Sequence, residues 1–158
     1  LYATWATLDG QMERCLLLRQ RMLDGLGPAD YHRATPLFLY APYYTKISHD
    51  TLESEIKAAI ANSPPASIMS ARVAGIMQFD GLQYLSRIAC PTMICVAEDD
   101  ILTPPYSSDL IASRIDPADC VRFPRGGHAV SRAEPDEFNR TVLDFLARNP
   151  IGKKNPDA

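Results

Sequence analysis

Thr92-Met-Ile-Cys-Val-Ala97 is an unbroken apolar run, β-branched at Thr92, Ile94 and Val96 and closed by Asp99-Asp100. A strand with one wet face alternates polar and apolar residues. This one does not, so it reads as a strand buried on both faces, the parallel-sheet kind. Such a strand needs a parallel neighbour and helices to cover it. The sequence that follows offers both. Pro105 to Ile115 reads as a helix and Asp119 to Phe123 as a second short strand. Pro135 to Arg148 reads as an amphipathic helix with Phe138, Val142, Phe145 and Leu146 inward and Pro135 in its first turn. Strand, helix, strand, helix is an α/β pattern.

The first half has a different period. Between Gln11 and Leu23, the residues Met12, Cys15, Leu16, Met22 and Leu23 share one helical face, and Gly25, Gly27 and Pro28 end that helix. Asp30 to Thr35 predicts a short helix. Pro36-Leu-Phe-Leu-Tyr-Ala-Pro-Tyr-Tyr44 reads as too irregular for a long element. Asp50 to Ala61 is helical, with Leu52, Ile56, Ala59 and Ile60 on one face. Ala66 to Met77 follows, with Ile68, Val73, Ile76 and Met77 inward, and Gly81 to Ile88 is a short helix. The simplest architecture is a block of helices set on an α/β sheet. Leu1 to Trp5 reads as the end of a strand, and the start without Met or a charged leader reads as a cut into a longer protein.

Composition narrows the classes. With 158 residues the chain is long enough for one real core. A net charge of −3 argues against a nucleic-acid partner, and no apolar run approaches the ~20 residues that span a membrane. Cys15, Cys90, Cys95 and Cys120 lack CxxC spacing and read as reduced thiols in or near the core of a cytoplasmic protein.

In open parallel sheets, ligands bind beyond the C-terminal ends of the strands. One such end here carries Ala97-Glu98-Asp99-Asp100-Ile101-Leu102-Thr103-Pro104, the other Arg125-Gly126-Gly127-His128. One strand–helix–strand unit separates Asp100 from His128, so neighbouring strands bring both loops to one rim. A carboxylate there can accept the ring Nδ1–H, fix the tautomer and stabilise the imidazolium, leaving the other nitrogen free to move a proton. Two glycines allow the tight bend that projects the histidine. The plainer readings are a loop histidine capping the last helix, and an Asp99 or Asp100 that caps the turn before Pro104. A metal site from Asp99, Asp100 and His128 lacks further spaced ligands. His32 and His49 read as solvated, and Arg125 as a surface residue that could also meet an anionic substrate.

Pro91-Thr-Met-Ile-Cys-Val-Ala-Glu-Asp-Asp-Ile-Leu-Thr-Pro104 followed by Phe-Pro-Arg-Gly-Gly-His128 resembles the end of an α/β-hydrolase. Members carry a small residue, two variable ones, the acid, three more and a proline. That pattern selects Asp100 over Asp99, with Ala97 where glycine is usual. Arg14-Cys-Leu-Leu-Leu-Arg-Gln-Arg-Met-Leu23 and Ala34-Thr-Pro-Leu-Phe-Leu-Tyr-Ala-Pro42 resemble the lid of the aminoacrylate hydrolase branch, whose members act in pyrimidine degradation and whose layout enol-lactonases and C–C-bond hydrolases share.

The resemblance implies the C-terminal portion of an α/β-hydrolase fold, parallel strands with helices, plus a helical lid. Residues 1–10 would be the end of a core strand and its loop, 11–80 the lid, 81–149 the C-terminal part of the core, and 150–158 a disordered polar tail. It implies hydrolysis of a small ester, lactone, amide-like or enamine-type substrate, with His128 as base, Asp100 as its orienter, and no metal or cofactor. The triad order is nucleophile, acid, histidine, and no G-x-S-x-G elbow stands here; Ser63, Ser67 and Ser70 sit on or between helices with no strand leading in. The nucleophile is therefore expected from a preceding half, in cis or in trans, with a His-activated water as the alternative. Trp5, Phe38, Tyr40, Tyr43 and Met77 are the expected substrate-pocket residues, any of which could equally be lid core; Tyr44 is a further lid aromatic. The expected partners are a small-molecule substrate, that preceding half and, as a homodimer, a second copy, with no nucleic acid and no membrane. The rival class is a binding protein without catalysis.

Overall fold

The structure, a computed structural model, describes residues 1–150; of the expected tail, all but Pro150 lies outside the described residues. Strand β1 (Thr92–Ala97) and strand β2 (Ala118–Phe123) pair in parallel, in a register that sets Thr92 against Ala118 and Ala97 against Phe123. β1 is buried along its whole length. Its alternate residues feed two cores. Ile94 packs with Ile111 and Ile115 around helix α6 (Pro105–Ala112). Met93, Cys95 and Ala97 pack with Phe123 and Val130 on the other face. Phe138, Val142 and Phe145 close that second face from helix α8 (Pro135–Arg148). Leu146, expected inward, is 49% exposed; the sheet under α8 is narrow, so a three-residue stripe covers it.

Leu1–Trp5 does lie along β1. The Leu1 carbonyl accepts from Cys95 N and Ala3 N donates to the Cys95 carbonyl, both at 2.9 Å. This places the chain start as a short parallel partner on the edge of β1 away from β2.

The helical block runs α1 (Gly10–Leu26), α2 (Pro28–Leu39), α3 (Pro42–Ile47), α4 (His49–Ala61) and α5 (Ala66–Gln78), then a 3₁₀ turn at Leu82–Arg87. Asp9 caps α1 by accepting from Gln11 N and Met12 N. Met12 and Leu16 pack on Val73 of α5, and Cys15 packs on Ala34 and Phe38 of α2. The stretch from Pro36, read as irregular, proves mostly helical. Pro36 lacks an N–H, but burial of Ala34 and Phe38 carries α2 past it to Leu39, and Pro42 opens α3 at a position where no N–H is needed. On α5, Val73 is buried and Ile76 and Met77 pack beside it as expected, but Ile68 is 47% exposed and Met69 takes its place in the core.

Cys15 and Cys95 are buried free thiols, but Cys90 and Cys120 are exposed, the latter on β2. Among the described residues, no helix is long and apolar enough to cross a membrane.

Candidate active site

The parallel register aligns the ends of β1 and β2, and Glu98 N extends the ladder by donating to the Phe123 carbonyl at 2.8 Å. The two following loops therefore leave from one rim. There His128 Nδ1 lies 3.0 Å from Asp100 Oδ2. The Asp100 side chain is fully buried, while that of His128 is 22% exposed. Asp100 Oδ1 accepts the backbone N–H groups of Leu102 (2.8 Å) and Thr103 (2.9 Å). Oδ2 also accepts the Thr103 hydroxyl at 2.9 Å, and that hydroxyl stands 3.2 Å from Nδ1. A buried carboxylate is costly unless its lone pairs are filled, and these four donors fill them. With Oδ2 taking Nδ1–H, the lone pair of His128 is on Nε2.

The neighbouring acid does a different job. Asp99 Oδ1 accepts Gly127 N at 2.8 Å, pinning the histidine loop to the acid loop. Gly126 and Gly127 have φ of +134° and +68°, which side-chain-bearing residues rarely adopt. Gly127 also lies against backbone of the helical block: an added Cβ would sit 2.8 Å from Ala41 N and 2.9 Å from the Leu39 carbonyl oxygen. Ala129 N donates to that Leu39 carbonyl at 2.9 Å. The Tyr2 hydroxyl donates to the His128 carbonyl at 2.8 Å and accepts from Ser131 N. The histidine backbone is thus held from both sides.

Further ties bind the helical block beside this loop. Arg132 of helix α7 (Val130–Ala133) grips both carboxylate oxygens of Glu55 at 2.7 and 2.8 Å and donates from Nε to the Tyr44 hydroxyl. The Tyr43 hydroxyl and Arg125 Nε both reach Glu134 Oε1 at 2.6 Å. Hydrogen bonds from Arg132 hold the Glu55 carboxyl below the usual carboxylate range, and those from Tyr43 and then Arg125 do the same for Glu134. A carboxyl depressed on folding contributes stability that is present above its unfolded value of about 4.3 and lost as pH falls through the lower folded value. The melting temperatures of wild type and Glu134→Gln should therefore converge as pH drops below about 4. A difference that does not shrink at all as pH falls would rule out a charge-based tie.

His128 lines a cavity of about 210 Å³ with Asp99, Phe38, Tyr40, Ala41 and Thr45 among its walls. Phe38 and Tyr40, expected at the pocket, are brought to His128. Tyr43 is engaged with Glu134 and Arg125 instead and does not line this cavity. Trp5 and Met77 pack around Met12, Leu16 and Val73, and Trp5 faces a separate apolar cavity with Phe79 and Tyr84. Tyr44 stacks on Tyr40 with centroids 4.8 Å apart. His32, read as solvated, is half-buried with Nε2 3.0 Å from Ser63 Oγ, and burial pushes its pKa down. His49 is exposed. Cys15 approaches the acid loop, its Sγ 3.8 Å from the Ile101 carbonyl, but burial raises its pKa, the opposite of an activated nucleophile. No group of three metal-ligating side chains occurs among the described residues.

Thr103 and Tyr2 were not legible as site residues. Thr103 has a local signal, a hydroxyl three residues after the acid. Tyr2 has none, since its partner lies 126 residues away. Removing the Thr103 hydroxyl takes one donor from the Asp100 carboxylate, worth about 1.5 kcal/mol for a bond to a charged group. Thr103→Val should lower kcat about tenfold with KM little changed in steady-state assays; an unaltered kcat would leave the hydroxyl a purely structural filler.

No protein-family model matches the chain. It is 39% identical over 141 residues to a protein of Azorhizobium caulinodans named as a carbamate hydrolase, RutD, covering 89% of this chain and 53% of that one. The fold matches the enol-lactonase of Burkholderia xenovorans with a TM-score of 0.80 at 18% identity, covering 93% of this chain and 55% of the other. It also matches an α/β-hydrolase from a Medee basin deep-sea metagenome with a TM-score of 0.82 at 20% identity, covering 97% and 57%. The chain spans about half the length of the curated relatives it matches.

Proposed function

We propose, for a chain that has the C-terminal portion of the α/β-hydrolase fold, that its helical block is a lid and that the chain supplies the base and the orienting acid of a hydrolase. The substrate class is a small ester, lactone, amide-like or enamine-type compound. The observation that carries this reading is the 3.0 Å contact between His128 Nδ1 and the buried Asp100 carboxylate. Nε2 takes the proton of the attacking group as that group adds to the electrophilic carbon, which is the carbonyl carbon of an ester, lactone or amide and the C=N carbon of an enamine in its iminium form. Asp100 stabilises the imidazolium so formed, and Nε2–H then returns the proton to the leaving group. This proton cycle needs no metal or organic cofactor.

In this reading the attacking group comes from the preceding half of the fold, in the same chain or in trans. A serine in a strand–turn–helix elbow is the first choice, and a water activated by His128 is the alternative. A small apolar cavity walled by Phe38 and Tyr40 beside the base suits a compact acyl substrate. The relatives named as carbamate hydrolases support the same class.

The test is hydrolysis by the native full-length protein of a panel holding a p-nitrophenyl ester, a small lactone and a carbamate. Turnover of at least one is expected. Binding without turnover of any would overturn the reading in favour of a non-catalytic binding protein.

A further inference from the structure

The acid loop carries three carboxylates in a row, Glu98, Asp99 and Asp100, and two of them are fully engaged. Glu98 pairs with Arg122. Asp100 is enclosed by His128, the Thr103 hydroxyl and two backbone N–H groups. Asp99 is only half engaged. Its Oδ1 accepts Gly127 N at 2.8 Å. Its Oδ2 meets no donor among the described residues, and unlike the sealed Trp5 Nε1 it remains accessible. The arginines of this region are taken elsewhere: Arg122 by Glu98 and Asp109, Arg125 by Glu134, and Arg132 by Glu55.

Asp99 also stands on the wall of the cavity of about 210 Å³ that His128 lines. Leu37, Phe38, Tyr40, Ala41, Pro42 and Ile101 make most of the remaining wall apolar or aromatic. No lysine or arginine lines it. Arg19 lies over the Phe38 ring at 5.0 Å but is not part of the wall. The cavity therefore sets one carboxylate among apolar side chains. There a charge is felt more strongly than in open water, and rings such as those of Phe38 and Tyr40 attract ammonium groups. The bond from Gly127 N fixes the carboxylate before any ligand arrives, which is preorganisation for binding. An anionic group in the same place would meet repulsion.

We propose that Asp99 determines specificity at this cavity, and that the ligand it selects is a compact acyl compound carrying an ammonium group. The ammonium donates to Asp99 Oδ2, and the acyl end lies toward His128. A hydrogen bond between two charged groups is of the strong kind. Asp99 is bonded to Gly127, the residue before the base, so receptor and base share one stretch of wall and a short spacer joins the two ends of the ligand. Calling this ligand the substrate rests on the hydrolase reading above; the preference for an ammonium group does not.

The experiment compares β-alaninamide with butyramide, which differ by an ammonium in place of a methyl group, on the native full-length protein by titration calorimetry at neutral pH and low salt. The wild type should bind β-alaninamide more tightly by about fivefold or more. Asp99→Asn keeps an acceptor for Gly127 N and removes the charge, and it should bring the ratio of the two affinities to about one. Glu98→Gln removes a neighbouring charge that does not line the cavity, and it should leave the ratio as in the wild type. If Asp99→Asn does not fold, salt carries the comparison: the wild-type ratio should fall toward one between about 0.02 and 0.5 M. Equal affinities in the wild type, no binding of either probe, a ratio that survives Asp99→Asn or high salt, or the same loss in Glu98→Gln would each overturn the proposal. Because binding is read without turnover, a protein that shows the ratio yet hydrolyses nothing keeps this inference and sinks the hydrolase reading. Hydrolysis without any ammonium preference does the reverse.

Discussion

Asp100→Asn should lower kcat of the native full-length protein by about 10³- to 10⁴-fold, the scale known for the orienting acid of such triads, with KM within a few-fold and the fold intact by circular dichroism. The geometry says why an isosteric change should cost so much. Oδ1 is fixed by two backbone donors, Leu102 N and Thr103 N. An asparagine keeps its carbonyl oxygen there, which turns its NH2 toward His128 Nδ1. Donor then faces donor. The ring responds by moving its proton to Nε2, the nitrogen that must accept one. His128→Ala should be at least as damaging, and the double variant should be no worse than His128→Ala alone, since the two act as one unit. Turnover within tenfold of wild type for Asp100→Asn would remove Asp100 from the triad.

Gly127→Val should disable the site by another route, with turnover down at least 100-fold and the melting temperature lowered by several degrees. Gly127 has φ of +68°, where a β-branched residue costs about 1–3 kcal/mol in backbone strain alone. Its Cβ would also strike backbone, lying 2.8 Å from Ala41 N and 3.0 Å from the Tyr40 carbonyl carbon. Backbone cannot swing aside as a flexible side chain can, so either the helical block lifts or His128 is pushed off Asp100. Gly25→Ala is the contrast. It sits in α1 with φ outside the left-handed region and open space at the Cβ position. There the change should be neutral or stabilising by up to about 1 kcal/mol. Kinetics and thermal melts of the two variants side by side decide the matter; a Gly127→Val protein that turns over normally would mean that the loop adapts freely.

The α/β core was legible because its signals are local and strong. An apolar run without alternation predicts a doubly covered strand, and Thr92–Ala97 is buried throughout. The period of Pro135–Arg148 gives α8 to the residue. The Asp100–His128 pairing was legible as well, because one strand–helix–strand unit fixes which loops share a rim. What escaped is what depends on tertiary packing. Pro36 suggested a break, but Phe38 and Ala34 hold α2 together against α1. Thr103 and Tyr2 act through partners that no spacing rule connects. The aromatics of the helical block could be listed but not sorted: composition cannot say that Phe38 and Tyr40 line the cavity with His128 while Tyr43 is tied to Glu134.

The bond from Ala129 N to the Leu39 carbonyl, and the seat of Gly127 against Tyr40 and Ala41, make the roof of the cavity and the mount of the base a single mechanical piece. A lid that lifted at the α2–α3 corner would carry off the anchor that aims the imidazole. In the hydrolase reading proposed above, opening there and a working base would be mutually exclusive states. Access for a ligand would then run along the other flank of the helical block, or admission would disarm the site and closure re-arm it, so that proton transfer would begin only once the visitor is sealed in.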